Sequence, residues 1–187
     1  MNIANKLTVA RIILVFVFMA IIWIPFMPLT SRLWVALVIF IVASLTDYLD
    51  GYLARKHHLV TNLGKFMDPL ADKMLVTVAM VAIVDLNGVL PAGLLPAWIV
   101  VIILLREFMV SGIRLVAATG NKVIAANYLG KIKTVFQMLM IIVYLIPIEN
   151  AILRGLAFVL AYGALILTLV SGFDYLWKNK DVLITNE

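Results

Sequence analysis

The chain has 187 residues, 65% of them hydrophobic and only 13% charged, with a mean hydropathy of +1.12 and a formal net charge of +5. A water-soluble domain is about half apolar and about one-quarter charged, so this composition excludes a soluble globule and calls for a bilayer. With no cysteine, disulfides and thiolate metal sites are excluded as well.

A membrane span needs about 20 mostly apolar residues. Six segments qualify, running approximately Thr8–Phe26, Arg32–Ala54, Leu63–Val84, Pro91–Ala117, Ile124–Ile146 and Ile152–Trp177. The first follows a short basic start but has no small-residue cleavage site, so it reads as a retained helix and not as a signal peptide. Turn-forming stretches, PFMP, DLNGVLPAG, ATGNK and PIEN, punctuate the breaks. Neither a linker nor a convincing internal repeat interrupts the pattern. The expectation is a single all-α integral membrane domain over residues 1–187, with six transmembrane helices and a polar cavity facing the cytoplasm.

The placement of charge sets an orientation. Both termini and the even-numbered breaks carry Lys6, Arg11, Arg55, Lys56, Lys65, Arg114, Lys122, Lys131, Lys133, Lys178 and Lys180, against Arg32 and Arg154 on the other side. The positive-inside bias then puts both termini in the cytoplasm. The net positive charge is a record of topology, and no nucleic-acid partner is expected.

Across the second and third spans the chain places four aspartates. Asp47 and Asp50 are three residues apart, and Asp68 and Asp72 are four apart, so each pair shares a helix face. A short connection makes the two helices antiparallel neighbours. Carboxylates in a membrane protein are costly and default to function. Oxygen ligands without His or Cys select hard divalent cations such as Mg²⁺, Mn²⁺ or Ca²⁺. Four carboxylates suffice to share two ions, an arrangement suited to displacement at phosphorus. Gly51 and Gly64, with the small Ala54, leave room for a ligand or for a close helix neighbour.

Spans four and five bring a second cluster: Arg106, Glu107, Arg114, Lys122, Lys131 and Lys133. Arg106 lies well inside an apolar run and cannot be a loop charge, and Glu107 beside it is placed to pair with a neighbour. Arg106, Arg114, Lys131 and Lys133 are candidates for binding the phosphate of an acceptor substrate, because Arg makes bidentate contacts to phosphate and Lys supplies a point charge.

The stretch Asp47-x-x-Asp50-Gly51-x-x-Ala54-Arg55, eight residues, Gly64-x-x-x-Asp68-x-x-x-Asp72 resembles the signature of the CDP-alcohol phosphotransferase family at every fixed position. The resemblance implies that family's fold and a reaction in which CDP-diacylglycerol gives its phosphatidyl group to an alcohol with release of CMP. It implies two divalent cations, Mg²⁺ or Mn²⁺, held by Asp47, Asp50, Asp68 and Asp72. Asp72 would also take the acceptor's proton, although a metal-bound carboxylate is a weak base and both roles stand. Asp47, Gly51, Ala54, Arg55 and Gly64 would contact the CDP donor. Asn5 and Thr8 join them through NKLTVAR, which resembles the family's entry segment with Ala4 where Pro is usual; a helix cap is the other reading of Asn5.

The motifs REFxxSxxR and GKxKT on spans four and five resemble the bacterial phosphatidylglycerophosphate synthase branch of the family. This implies sn-glycerol 3-phosphate as acceptor, within phospholipid biosynthesis in the bacterial cytoplasmic membrane, and a homodimer. Inositol phosphate makes the same charge demand and is the rival acceptor. Outside the family the alternative is a divalent-cation transporter. It is weakened because the opposite half of the spans carries no acid except Asp85 and Glu149 near its surface.

Overall fold

The computed structural model describes residues 3–56, 62–119 and 128–179, with side chains for 8–46, 73–115, 117 and 128–179. Every regular element among them is a helix: α1 (Ile3–Trp23), α2 (Leu29–Lys56), α3 (Asn62–Asp85), α4 (Ala97–Thr119), α5 (Tyr128–Leu145) and α6 (Ala151–Lys178). Leu29–Thr46, Tyr128–Leu145 and Ala151–Lys178 are long and apolar enough to cross a membrane, and Thr8–Trp23 is a shorter apolar stretch. In α4 the apolar run is interrupted by Arg106, Glu107 and Arg114. The protein is an integral membrane protein.

Packing follows chain order only in part. The α1 helix lies against both α2 and α3, α5 against α6, and α4 chiefly against α6, while α2 and α3 each reach α5. The shared core includes Phe18, Phe40, Met80, Ile99, Ile103 and Tyr144, all essentially inaccessible. Large apolar side chains also cover the outside, among them Phe16, Val38, Leu105, Phe158, Ile166, Phe173 and Trp177. In water so much exposed apolar area would drive association. Against lipid chains it is the expected surface.

The two ends of the bundle differ. At one end Trp23 Nε1 donates to Asp85 Oδ2 (2.8 Å), Arg32 Nη1 to the Ile22 carbonyl (2.8 Å) and the Tyr144 hydroxyl to the Leu94 carbonyl (3.3 Å). Arg154 pairs with Glu149 at 3.5 Å and reaches the Pro91 carbonyl at the same distance. This end is closed by the loop between α3 and α4. There the Asn87 amide bonds Leu95 in both directions, donating to its carbonyl (2.8 Å) and accepting from its N–H (2.9 Å).

That loop explains why α4 starts at Ala97 and not at Pro91, where the fourth span was expected to begin. Gly93 has φ +96°, a left-handed conformation incompatible with a continuing helix. Pro96 then stands immediately before the helix, where a missing N–H costs nothing. Asn150 caps α6 by accepting from the Ile152 N–H (2.7 Å).

Candidate active site

At the opposite end of the bundle the helices part around two cavities that share Lys73, Glu107, Arg114 and Thr134 in their walls. The larger, of about 270 Å³, extends inward past Arg11, Ser44, Thr77, Met80 and Gln137. The smaller, of about 150 Å³, is bounded by Arg106, Ser111, Lys131, Lys133 and Tyr175. All four expected phosphate-binding residues, Arg106, Arg114, Lys131 and Lys133, therefore meet at one cavity.

Their roles within it differ. Glu107 is the hub: Arg106 Nη1 donates to Glu107 Oε1 (3.0 Å), and Lys133 Nζ donates to the same oxygen. The second Arg106 amino group donates to Ser171 Oγ (3.0 Å). Even the Glu107 carbonyl is engaged, accepting from Lys73 Nζ (3.2 Å) and Ser111 Oγ (2.7 Å). Lys133 is 1% exposed and the Arg106 side chain 11%, so without this carboxylate both charges would be buried against apolar helices. Gly172 makes room for Arg106, since a Cβ there would stand 3.0 Å from Arg106 Cγ.

Arg114 is held differently. Its Nε donates to the Tyr175 hydroxyl (3.3 Å), and its guanidinium carbon lies 5.5 Å from the centre of that ring. No carboxylate among the described residues engages it, which leaves its terminal amino groups for an anionic ligand. Lys131 is exposed at the cavity rim. In the wall of the smaller cavity Arg106, Arg114, Lys131 and Lys133 surround Glu107, the one carboxylate among its described lining residues. Such a wall suits an anionic ligand.

The donor-side residues occupy the neighbouring helices. Asp47, Asp50, Gly51, Ala54 and Arg55 fall on the last turns of α2, and Gly64, Asp68 and Asp72 on the first turns of α3. These two helices touch. The side chains of these eight residues, and that of Asn5 on α1, lie outside the described set, as does Lys122 altogether. Thr8 and Arg11 are each 2% exposed, so the α1 face they share looks into the bundle. Asp72 immediately precedes Lys73, whose ammonium reaches Glu107, so the aspartate helices and the cation cluster adjoin through α3.

The sequence model of CDP-alcohol phosphatidyltransferases matches residues 1–170. The chain belongs to that family. It is 41% identical to the CDP-diacylglycerol–glycerol-3-phosphate 3-phosphatidyltransferase of Bacillus subtilis (strain 168), over 99% of this chain and 98% of that protein. The probable phosphatidylglycerophosphate synthase of Mycobacterium tuberculosis (strain ATCC 25618 / H37Rv) is 37% identical over 93% of this chain and 79% of its own length. A CDP-diacylglycerol–glycerol-3-phosphate 3-phosphatidyltransferase of Rickettsia typhi (strain ATCC VR-144 / Wilmington) is 33% identical over 93% and 94%.

Within this CDP-alcohol phosphatidyltransferase, two cavity residues, Tyr175 and Gln137, and Ser171, which accepts from Arg106, carry no signal that sequence reasoning picked out. Tyr175 lies 61 residues from the arginine it supports, and only the fold brings α4 and α6 together. Ser171 and Gln137 are neutral residues inside apolar runs. Charge at unexpected depth was the useful signal, and it led to Arg106 and Glu107.

Proposed function

We propose that this phosphatidyltransferase uses CDP-diacylglycerol as donor and sn-glycerol 3-phosphate as acceptor, giving phosphatidylglycerophosphate and CMP. The observation that carries this reading is the cation-lined pair of cavities adjoining the helices of Asp47, Asp50, Asp68 and Asp72. An acceptor that already bears a phosphate needs such a wall; choline or serine does not. The names of the similar proteins from Bacillus subtilis and Rickettsia typhi agree with it.

In this reading an acceptor hydroxyl oxygen bonds to the phosphatidyl phosphorus as the bond from that phosphorus to the bridging oxygen breaks. CMP leaves with the bridging oxygen, and the hydroxyl proton passes to a base. Arg114 and Lys131 grip the acceptor phosphate, while Glu107 holds Arg106 and Lys133 in place beside it. Asp72 receives the proton. Asn5, Thr8, Gly51, Ala54, Arg55 and Gly64 form the donor side.

The donor set on α2 and α3 fits divalent cations: four carboxylates on two touching helices, all hard oxygen ligands. Asp47, Asp50, Asp68 and Asp72 would hold two Mg²⁺ or Mn²⁺ ions. Bound there, such ions neutralise the pyrophosphate and stabilise the departing CMP. All six helices span the membrane in this reading, with the cavities and both termini on the cytoplasmic side, and the working unit is a homodimer.

The test is CMP release from CDP-diacylglycerol in detergent micelles with Mg²⁺ or Mn²⁺. The acceptors compared are sn-glycerol 3-phosphate, inositol phosphate and serine. Glycerol 3-phosphate is expected to support turnover, and Asp68→Asn to abolish it while the protein stays folded. No CMP with any acceptor would sink the reading, and a preference for inositol phosphate would reassign the acceptor.

A further inference from the structure

Gln137 is only 2% exposed, and its side chain helps to wall the larger cavity alongside Lys73, Arg114 and Thr134. Its amide nitrogen, Nε2, is buried without a hydrogen-bond partner. That nitrogen carries two N–H donors. Leaving them unmet inside an apolar bundle incurs the full desolvation penalty of the group, which Leu or Met at the same place would avoid. Other polar residues of this wall are already engaged: Ser44 Oγ donates to the Phe40 carbonyl (2.8 Å) and Thr134 Oγ1 to the Gly130 carbonyl (3.0 Å). A buried donor left open beside a cavity calls for a ligand that brings an acceptor oxygen.

Position indicates which oxygen. Gln137 follows Lys133 by four residues on α5, so it lies one turn further along the same face, about 6 Å from it along the axis. The phosphate-binding cations sit at the outer part of the site, and Gln137 sits one turn deeper. A three-carbon polyol phosphate held by its phosphate places its carbon-bound hydroxyls at that depth. One hydroxyl must turn to the donor on α2 and α3, which leaves the other for the amide.

We propose that Gln137 is a specificity-determining residue that donates a hydrogen bond to the acceptor's second hydroxyl, the one that does not attack phosphorus. This rests on the acceptor reading given above. The cations select a phosphate; Gln137 selects a diol over a simple alcohol bearing that phosphate.

The experiment compares sn-glycerol 3-phosphate with 3-hydroxypropyl phosphate, which lacks the second hydroxyl, in the full chain with CDP-diacylglycerol. The wild-type protein is expected to favour glycerol 3-phosphate by roughly tenfold in kcat/KM, the worth of one good hydrogen bond. Gln137→Met should lose about that factor on glycerol 3-phosphate, through KM, and stay within about twofold of wild type on 3-hydroxypropyl phosphate. Gln137→Leu serves as a second donor-free variant should Met not fold, with thermal unfolding as the check on both. A wild type indifferent to the second hydroxyl overturns the proposal. So does a Gln137→Met variant that gains thermal stability while keeping its preference, or one that loses equally on both acceptors. No CMP from the wild type with either alcohol overturns the transferase reading and this one with it. Transfer by the wild type with an unaltered Gln137→Met overturns only the role of Gln137.

Discussion

Arg114 and Arg106 are both arginines of one helix lining one cavity, yet they should respond differently to replacement. Arg114 rests on a neutral phenol and keeps its terminal nitrogens available. Arg114→Ala is therefore expected to raise KM for glycerol 3-phosphate roughly 10- to 100-fold, the range for hydrogen bonds to charged groups. KM for CDP-diacylglycerol should change little; equal effects on both would remove Arg114 from the acceptor pocket. Arg106 and Lys133 instead share an oxygen of Glu107. Glu107→Gln keeps the shape but strands two buried cations, and a loss on the order of 3 kcal/mol is expected, read as a fall in Tm in detergent. Adding Lys133→Met should recover part of it, because one orphaned charge is then gone. The sequence made Arg106, Glu107 and Arg114 conspicuous, since a charge inside an apolar run has to be explained. Tyr175 and Gln137 were illegible for the converse reason. A tyrosine or glutamine in a membrane helix announces nothing until its neighbours from other helices are known.

Helices were the most legible feature, because a run of about 20 apolar residues has few alternatives in a bilayer. Their ends were less so. The start of α4 moved from Pro91 to Ala97 because the decisive bonds are made by a side chain, Asn87, reaching eight residues along the chain to Leu95. Beyond the α2–α3 contact, expected from their short connection, how the helices pair was not legible, since lipid-facing and core-facing residues are equally apolar. The α5–α6 contact shows what does decide pairing. Gly163 lies so close to α5 that a Cβ there would stand 2.9 Å from the Phe136 ring. Small residues permit this kind of backbone approach in membrane helices. Gly163→Ala is expected to cost roughly 1–3 kcal/mol through overpacking, measured by thermal unfolding in micelles. Combining it with Phe136→Leu should restore most of the loss. No recovery in the double variant would mean that the glycine is needed for something other than the ring.

The molecule as a whole is polarised along the bundle. One end carries Arg32, Asp85, Glu149 and Arg154, held in pairs and backbone bonds. At the other end lie the two cation-lined cavities. That asymmetry has two consequences of one origin. In the proposed orientation, a surplus of Lys and Arg would keep its end in the cytoplasm during insertion, and the same surplus would draw the proposed phosphorylated acceptor, a water-soluble anion, to that side. Catalytic demand and topology would thus favour the same placement of charge, and the orientation argued from the sequence is a proposal that labelling can test. The chain offers a direct check, because it has no cysteine of its own. Glu149 and Lys178 have well-exposed side chains, 84% and 66%, at the two ends. A single Glu149→Cys variant should react with a membrane-impermeant maleimide added to intact cells whose inner membrane is accessible. Lys178→Cys should react only once the membrane is opened. The reverse pattern would invert the protein and place the cation-lined cavities outside. Labelling of both positions from outside would mean that α6 does not cross the membrane.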